Sequence, residues 1–349
     1  MHFYEQLASV KQRHEGWWNH KNTTPLYGFT IEKTPTIPKP LTQVNCHDFS
    51  KSPAELAADI ETYLKAFDYY GDAFPFYNMD AFGPGIIAAM LGARLDNSSG
   101  RVWFHPTKIR ELKDIYFEFD PNNIWYKRIL DISLACTQRF KGNIILSMPD
   151  LGGILDILST FRPSELLLYD LYDEPDEVQR LVKELEVVWH HIHKELSLAM
   201  ECDKYGYTDW SGIWSRESSY IIQCDFAYMI SPDMFHSFAY DTLKNDCEKL
   251  NRTIYHLDGP GQLCHVDSLL AIDRLNCIQW IPGDGNPGID CYPQLFAQIA
   301  NAGKLIQAMS WDLTAIGTLL KQVPNPGAVA CYTIYGDPSR KSELLDFIK

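Results

Sequence analysis

The stretch R-T-I-Y-H-L-D-G-P-G-Q-L-C-H at residues 252–265 contains the elements of one strand-to-helix unit. Its first six residues are largely apolar, β-branched or aromatic, as in a buried strand, and a Gly-Pro-Gly turn follows. His256 and Asp258 stand at the end of this strand, and Cys264 and His265 come just beyond the turn. A strand that ends in polar side chains before a helix predicts an α/β fold with functional groups at its strand ends.

Short apolar runs of the same kind recur along the chain, separated by longer helical patterns. They lie at residues 25–31, 73–79, 143–148, 204–210, 252–257, 277–281, 304–310 and 328–334. Strands that alternate with helices predict a parallel sheet. Eight runs predict a (β/α)8 TIM barrel, with a doubly wound open sheet as the alternative. We expect one barrel domain over residues 25–349, preceded by an N-terminal helical extension at residues 1–24.

Charge and composition limit the classes of partner. The chain has 349 residues and a formal net charge of −14. Nucleic acids and anionic membranes both require a basic face, so neither is expected as a partner. No window approaches the roughly 20 apolar residues of a membrane span, and we expect a cytoplasmic protein. The nine cysteines are an odd number without C-x-x-C spacing, and we expect most of them to be reduced, buried thiols.

Acidic side chains follow several of the predicted strands. They are Asp80, Asp150, Asp209, Asp258 and Asp312. In a barrel, such positions lie on one face, where substrates bind, and we expect Asp80 and Asp150 to contact substrate. Glycine-bearing turns come after several of these strand ends, but none matches a Walker loop or a G-x-G-x-x-G fingerprint. A phosphate-cradling site is therefore not supported.

A metal site is one hypothesis for the end of the fifth run. His256 and Asp258 are two residues apart, so on a strand their side chains share a face. Cys331, on the last strand, could join them across the mouth of the barrel. Three protein ligands and one open position make a catalytic zinc site. The alternative is a strand-end histidine bonded to an aspartate, with an unrelated buried cysteine.

Each of the other candidate site residues has a functional and a structural interpretation. Trp210 and Trp214 follow the fourth run and are expected at the barrel mouth, although aromatic core is the commoner use of tryptophan. Asp225 either binds substrate or anchors its loop. Three histidines in the helical pattern at residues 173–193 favour a solvated helix face over a metal site.

Several segments resemble the uroporphyrinogen decarboxylase superfamily. They are Y-H-L-D-G-P-G-Q-L-C-H-V-D-S-L-L-A-I-D-R-L-N-C-I-Q-W-I-P-G-D-G (255–285), D-A-F-G-P-G-I-I-A-A-M-L-G-A (80–93), D-L-G-G-I-L-D-I-L (150–158), E-L-L-L-Y-D-L-Y-D-E-P (165–175) and C-D-F-A-Y-M-I-S-P-D-M-F (224–235). The resemblance runs from about residue 15 to the end of the chain. It implies a (β/α)8 barrel and one of two activities. These are cofactor-free decarboxylation of uroporphyrinogen and zinc-dependent methyl transfer between a corrinoid protein and a thiol.

The methyltransferases resemble the chain better than the decarboxylases do. The arginine-rich motif of the decarboxylases should follow the first strand, where this chain has T-I-E-K-T-P-T-I-P at residues 30–38. The zinc ligands of the methyltransferases are a His-x-Cys pair and a second cysteine near the C-terminus. Carried over, they fall on His256, on Asp258 in place of the first cysteine, and on Cys331. A carboxylate in place of a thiolate makes a harder ligand set.

The resemblance therefore implies a zinc-dependent methyltransferase. Zinc would activate a substrate thiol or another small molecule, and a partner corrinoid protein would supply methylcobalamin. Tyr207, Trp210 and Trp214 would shape the substrate pocket. The alternatives are a metal-free decarboxylase-like lyase and a barrel that binds a small molecule without catalysis.

Overall fold

A computed structural model describes residues 7–33, 36–336 and 338–348. The strands are β1 (Leu26–Glu32), β2 (Phe67–Gly71), β3 (Phe76–Tyr77), β4 (Arg94–Asp96), β5 (Trp103–His105), β6 (Ile145–Leu146), β7 (Ser219–Gln223), β8 (Arg252–Asp258), β9 (Cys277–Ile281), β10 (Leu305–Met309) and β11 (Val329–Gly336). The α-helices are α1 (Leu7–Trp18), α2 (Pro53–Lys65), α3 (Ile87–Met90), α4 (Ile124–Phe140), α5 (Ile154–Phe161), α6 (Ser164–Asp173), α7 (Pro175–Ala199), α8 (Cys202–Tyr205), α9 (Pro232–Phe235), α10 (Asp241–Lys249), α11 (Val266–Leu270), α12 (Pro293–Asn301), α13 (Leu313–Gln322) and α14 (Lys341–Phe347).

The central sheet has seven strands in the order β2-β1-β11-β10-β9-β8-β7. Its neighbouring strands are parallel except for the β1–β2 hairpin. In the described part of the chain, β3 and β6 form a separate parallel pair, and β4 and β5 an antiparallel one. The fold is thus mixed α/β with a mostly parallel central sheet. It is compatible with a barrel, and the closed (β/α)8 barrel stays a prediction.

Seven of the eight predicted runs contain a strand, and the fourth prediction is wrong. Residues 204–210 contain the end of α8 and an isolated bridge between Tyr207 and Ser215, and the strand is β7, which begins nine residues after the run ends. Gly206 explains the break, because its φ of 102° is a conformation that side chains rarely adopt. The run is therefore the end of a helix followed by a loop before the strand.

The central sheet has an inner and an outer face, each carrying alternate residues of its strands. The inner face carries Leu26, Ile221, Ile254, Cys277, Leu305 and Ala330, which pack with Trp17 and Trp18 of α1. The outer face carries Ile222, Tyr255, Ile278, Ile306, Ala308 and Cys331, which belong to the large core shared with the helices. This alternation fixes the direction of every functional side chain on the strands.

Helix α1 lies in the predicted N-terminal extension and packs against the start of the strands. Trp17 Nε1 donates to the carbonyl of Ala328, and Trp18 Nε1 donates to the carbonyl of Trp214. The extension's first six residues lie outside the described residues, and its boundary at residue 24 stays a prediction. In the described ranges, no helix combines the length and apolar character needed to cross a membrane.

Candidate functional site

One histidine and two carboxylates meet where β7 and β8 end. The ligand atoms of Asp225, His256 and Asp258 all lie within 4.8 Å of one another. His256 and Asp258 belong to the inner-face positions of β8, and Asp225 follows β7 by two residues. We call these three residues the His-Asp-Asp cluster. Two of its members were predicted together from their spacing, and the structure adds Asp225, which was a separate candidate.

A chain of amides holds the imidazole of His256. Its Nδ1 lies 2.5 Å from Oε1 of Gln279, whose Nε2 donates to Oε1 of Gln307 at 2.8 Å. Gln307 Nε2 in turn donates to the backbone carbonyl of Ser211 at 2.7 Å. A carbonyl can only accept, so this end sets the direction of the whole chain. His256 therefore carries its proton on Nδ1, and its Nε2 keeps a free lone pair.

The electrostatic setting keeps this imidazole neutral. Burial lowers the pKa of His256, and the contacts with Gln279, Asp258 and Asp156 offset only part of that effect. The ring of Trp210 packs edge-on against it, with centroids 4.9 Å apart. A neutral imidazole with a directed lone pair is the form that binds metal ions.

Asp156 of α5 is a site residue that the sequence reasoning missed. Its Oδ2 accepts from the backbone N–H of Asp225 at 3.0 Å, and its Oδ1 accepts from that of Phe226 at 2.7 Å. Asp156 thereby fixes the loop that carries Asp225. The sequence feature that could have identified Asp156 is an acid in the first turn of an apolar helix, directly after the Gly-Gly turn at residues 152–153.

Three carboxyl groups around the cluster have raised pKa values. Burial and the charge of Asp225 raise the pKa of Asp156 to about 7. Asp225 stays open to solvent in its cleft, yet desolvation by the surrounding protein, with Asp258 and Asp150, raises its pKa to about 7. Burial, together with Asp156 and Asp209, raises the pKa of Asp150 to about 7. These shifts reflect burial of the carboxyl groups first and the like charges of neighbouring aspartates second.

The ion pairs of the described residues involve none of Asp150, Asp156, Asp225 and Asp258. Uncompensated carboxylates beside a neutral imidazole attract a divalent cation. Imidazole and carboxylate are both zinc ligands, and three protein ligands leave one position open. The donor set of the His-Asp-Asp cluster therefore fits a catalytic metal ion.

Cys331 is not brought to this cluster. It lies in β11 beside Tyr27 and Ala308, on the outer face, and its side chain is fully buried in the core. Burial raises the pKa of its thiol to about 12, so the thiol stays protonated at neutral pH. The third ligand implied by the resemblance thus points away from the cluster, and Asp225 occupies the third position instead.

The other predicted strand-end aspartates differ in their surroundings. Asp80 is paired with Lys39 and lines a cleft of about 670 Å³, which we call the mouth cleft, together with Asp284, Trp311 and Asp312. Asp150 lies near the cluster, where the backbone N–H of Gly152 donates to it at 3.0 Å.

The aromatic residues of the fourth run are dispersed. Trp210 contacts His256 as described. Tyr207 instead lines a separate cavity of about 560 Å³, and its hydroxyl donates to Asp203 at 2.6 Å. Trp214 is buried against α1, with its Nε1 bonded to the carbonyl of Tyr205 at 3.1 Å. The structure thus brings only Trp210 to the cluster.

The three histidines of α7 do not form a metal site with one another in the described structure. His190 Nε2 lies 2.8 Å from Asp246, and His193 is buried and stacked on Trp189. His191 packs edge-on against Phe119 at 4.7 Å between centroids. The expectation of a solvated helix face holds for His191, which is exposed, whereas His193 belongs to the interior.

A small pocket adjoins the cluster at Asp225. Its volume is about 260 Å³, and we call it the side pocket. It is lined by Pro84, Gly85, Val102, Trp103, Phe104, Gly152, Asp156, Ile157, Ser159, Thr160, Gln223 and Asp225. Among the described residues, Oε1 of Gln223 has no hydrogen-bond partner.

Comparison with known proteins gives a likeness in fold. No protein-family model matches the chain, and no curated protein matches it. A solved structure, a methyltransferase from Methanosarcina mazei, is similar with a TM-score of 0.62 and 10% sequence identity. The likeness covers 97% of this chain and 99% of the other one. At that identity it concerns the fold, which the two chains share over almost their whole lengths.

Proposed function

We propose that this protein is a metal-dependent methyltransferase of the uroporphyrinogen decarboxylase superfamily. It would move a methyl group between a small molecule and the corrinoid of a partner protein. The observation that carries this proposal is the His-Asp-Asp cluster at the ends of β7 and β8, with the free Nε2 of His256 directed by the amide chain. The fold likeness to a methyltransferase supports it, because the cluster lies in a chain of the same overall architecture.

The residues that would hold a zinc ion are His256, through Nε2, and Asp258 and Asp225, through their carboxylates. When bound, zinc supplies Lewis-acid activation of a small substrate, such as lowering the pKa of a thiol. Two carboxylates balance the charge of a divalent ion. The ligand set is harder than one containing thiolates, so manganese or iron is a second possibility for the metal.

The remaining residues position this centre. Gln279 and Gln307 hold the tautomer and orientation of His256, and Asp156 holds the backbone of Asp225. The ring of Trp210 packs against the imidazole and helps to hold its orientation. The side pocket at Asp225 offers space for a small substrate.

The metal content of the purified protein tests the proposed centre. We expect about one divalent ion per chain by elemental analysis, and its loss in His256→Ala, Asp258→Asn and Asp225→Asn. Cys331→Ala is the matched control and should keep the metal, because that thiol lies on the outer face. A protein that purifies without metal and binds none when zinc is added would contradict the proposal.

Methyl transfer itself is tested by following the absorbance of methylcobalamin with the metal-loaded protein. Candidate acceptors are a panel of thiols, and candidate donors are methylated small molecules added to reduced cobalamin. We expect turnover that is abolished by His256→Ala and retained by Cys331→Ala. A protein that is fully metal-loaded yet inert toward every corrinoid reaction would favour a non-catalytic binding role.

A further inference from the structure

We infer, on the basis of the proposed function, that the side pocket binds a small methylated onium cation, the charged group of the substrate. An onium cation here means a quaternary ammonium or a tertiary sulfonium. Both present methyl groups around a single positive charge. The inference selects a cationic substrate over an anionic thiol.

The lining of the side pocket combines acids with aromatic rings. Asp156 and Asp225 contribute carboxyl groups, and Trp103 and Phe104 contribute the rings. Aromatic faces attract quaternary cations through the quadrupole of the ring, and neighbouring carboxylates add a direct charge interaction. No lysine, arginine or histidine is among the lining residues. An anionic ligand would therefore find no basic side chain in this pocket.

Gln223 provides a second and independent indication of a ligand. Its side chain is 7% exposed, lines the side pocket, and leaves Oε1 without a hydrogen-bond partner in the described part of the chain. A buried acceptor without a donor costs free energy, so native structures rarely leave one unless a ligand or water completes it. The oxygen end of this amide dipole attracts a positive charge, and the polarised C–H groups of an onium cation can approach it as weak donors.

The site keeps acidic groups without a basic partner after a metal ion has bound. A divalent ion at the His-Asp-Asp cluster balances Asp225 and Asp258, whereas Asp150 and Asp156 have no basic partner among the described ion pairs. Of these two residues, Asp156 lines the side pocket, where its carboxyl group can contact a bound cation. Because Asp225 belongs to both the cluster and the side pocket, a cation in the pocket would lie beside the metal centre.

The volume of the pocket suits a small ligand. Its volume of about 260 Å³ is below the range of drug-sized pockets, roughly 300–1,000 Å³. A compact head group with three or four methyl substituents fits such a space. A macrocycle such as a porphyrinogen does not.

Equilibrium titrations of the metal-loaded protein test this inference. The probes are tetramethylammonium, trimethylsulfonium and choline, with 3,3-dimethylbutan-1-ol as the uncharged analogue of choline and 2-mercaptoethanesulfonate as an anionic thiol. We expect both onium classes to bind, measured by tryptophan fluorescence and calorimetry, with choline at least about tenfold tighter than its uncharged analogue. Equal affinity for choline and its analogue, or preferential binding of the sulfonate, would overturn the inference.

Two variants locate the binding. Trp103→Leu and Gln223→Leu should each weaken choline binding by about threefold or more. Trp311→Leu is the matched control, since Trp311 is 58% exposed and Trp103 60% exposed, but Trp311 lines the mouth cleft instead. Choline binding that is unchanged in both side-pocket variants, or weakened only in Trp311→Leu, would contradict the assignment.

Failure of this inference is distinguishable from failure of the proposed function. In His256→Ala, loss of the metal would leave more carboxylate charge at the site, and choline should still bind. A metal-loaded protein that does not bind choline overturns the substrate class alone. A protein that binds choline but no metal overturns the metal centre alone.

Discussion

Oε1 of Gln279 lies 2.5 Å from Nδ1 of His256, and the same amide is anchored on its other side by Gln307. This relationship determines which imidazole nitrogen faces the cluster. Without it, the neutral ring could carry its proton on Nε2 and would then present a donor where a metal ligand is needed. The functional state of His256 thus depends on Gln279 of β9, which pairs with β8, and on Gln307 of β10, the next strand in the sheet.

Replacing Gln279 by leucine should weaken metal binding by about 10- to 100-fold, the range typical of lost partners of metal-binding histidines. The reason is that Nδ1 loses its acceptor and the imidazole its fixed tautomer. Gln279→Glu keeps an acceptor and should retain most of the affinity. Competition with a chromophoric zinc chelator measures both variants.

Gln298→Leu is the control for this change. Gln298 lies on α12 and donates to Asp267 at 2.5 Å, in an exposed hydrogen bond away from the cluster. Its loss should leave the zinc affinity unchanged. If Gln279→Leu bound zinc as tightly as the unaltered protein, the amide chain would not be what orients His256.

Much of the fold was predictable from the sequence because the strands are short apolar runs with turns after them. The exception is instructive. The sequence K-Y-G-Y-T-D-W at residues 204–210 has three aromatic residues and one β-branched residue, and the true strand S-Y-I-I-Q at residues 219–223 likewise has three apolar residues. Its position at the edge of the parallel sheet, with all five residues buried, comes from tertiary packing. Local composition does not contain that information.

The site was predictable only in part, for a geometric reason. Spacing along one strand places His256 and Asp258 on one face, and this needs no knowledge of the rest of the fold. The third member depends on the register between strands. Cys331 falls on the outer face, and Asp225 reaches the cluster because Asp156, on a helix more than 60 residues earlier in the sequence, holds its loop.

His193 should make the protein less stable in mild acid. Burial against Trp189 lowers its pKa to about 4, so the folded state stays unprotonated while the unfolded state takes up a proton below about pH 6.5. Stability is therefore present above pH 6.5 and is lost progressively as the pH falls toward 4. At pH 5 the loss from this residue is about 2 kcal/mol.

The measurement is chemical denaturation at pH 7 and at pH 5. In His193→Gln, the decrease in unfolding free energy between these two values should be smaller by about 2 kcal/mol than in the unaltered protein. His105→Gln, at an exposed position in β5, is the control and should not change it. An unaltered pH dependence in His193→Gln would show that His193 is already accessible to protons in the folded state.

Glu15 and Arg252 tie α1 to the start of β8. Arg252 is 5% exposed, and its two terminal nitrogens lie 2.5 and 2.9 Å from the carboxylate of Glu15. Glu15→Ala would leave a buried guanidinium with the longer contacts to Glu217, at 3.4 Å, and to the hydroxyl of Ser215, at 3.3 Å. We expect a loss of about 3 kcal/mol in unfolding free energy, as for other broken buried pairs.

A double-mutant cycle tests this pairing. Glu15→Ala combined with Arg252→Met should be less destabilised than the sum of the two single variants, because the second change removes the unpaired charge. Additive effects would contradict a direct interaction. The equivalent change at an exposed pair, Glu343→Ala beside Arg340, should cost less than about 1 kcal/mol.

Gly28 makes room for the ring of Tyr332. A Cβ at position 28 would lie 2.3 Å from this ring, whose hydroxyl is held 2.7 Å from Nε2 of His14. Gly28→Ala should therefore cost about 1–3 kcal/mol, and the cost should shrink in a Tyr332→Leu background. Gly317→Ala in α13 is the control, because its Cβ would meet nothing closer than 3.7 Å. An equal effect at both glycines would contradict the steric argument.

Asp258 offers the sharpest test of the metal centre, because it stands where the resemblance expects cysteine. Asp258→Cys would replace a hard oxygen ligand by a soft thiolate and should shift metal preference toward zinc and cadmium over manganese. Competitive metal binding measures this shift, and cadmium adds a thiolate charge-transfer band in the ultraviolet. Cys331→Asp is not a useful counterpart, since it would bury a carboxylate in the core. If Asp258→Cys left both the metal preference and the cadmium spectrum unchanged, Asp258 would not be a ligand, and the cluster would have to be redefined around His256 and Asp225.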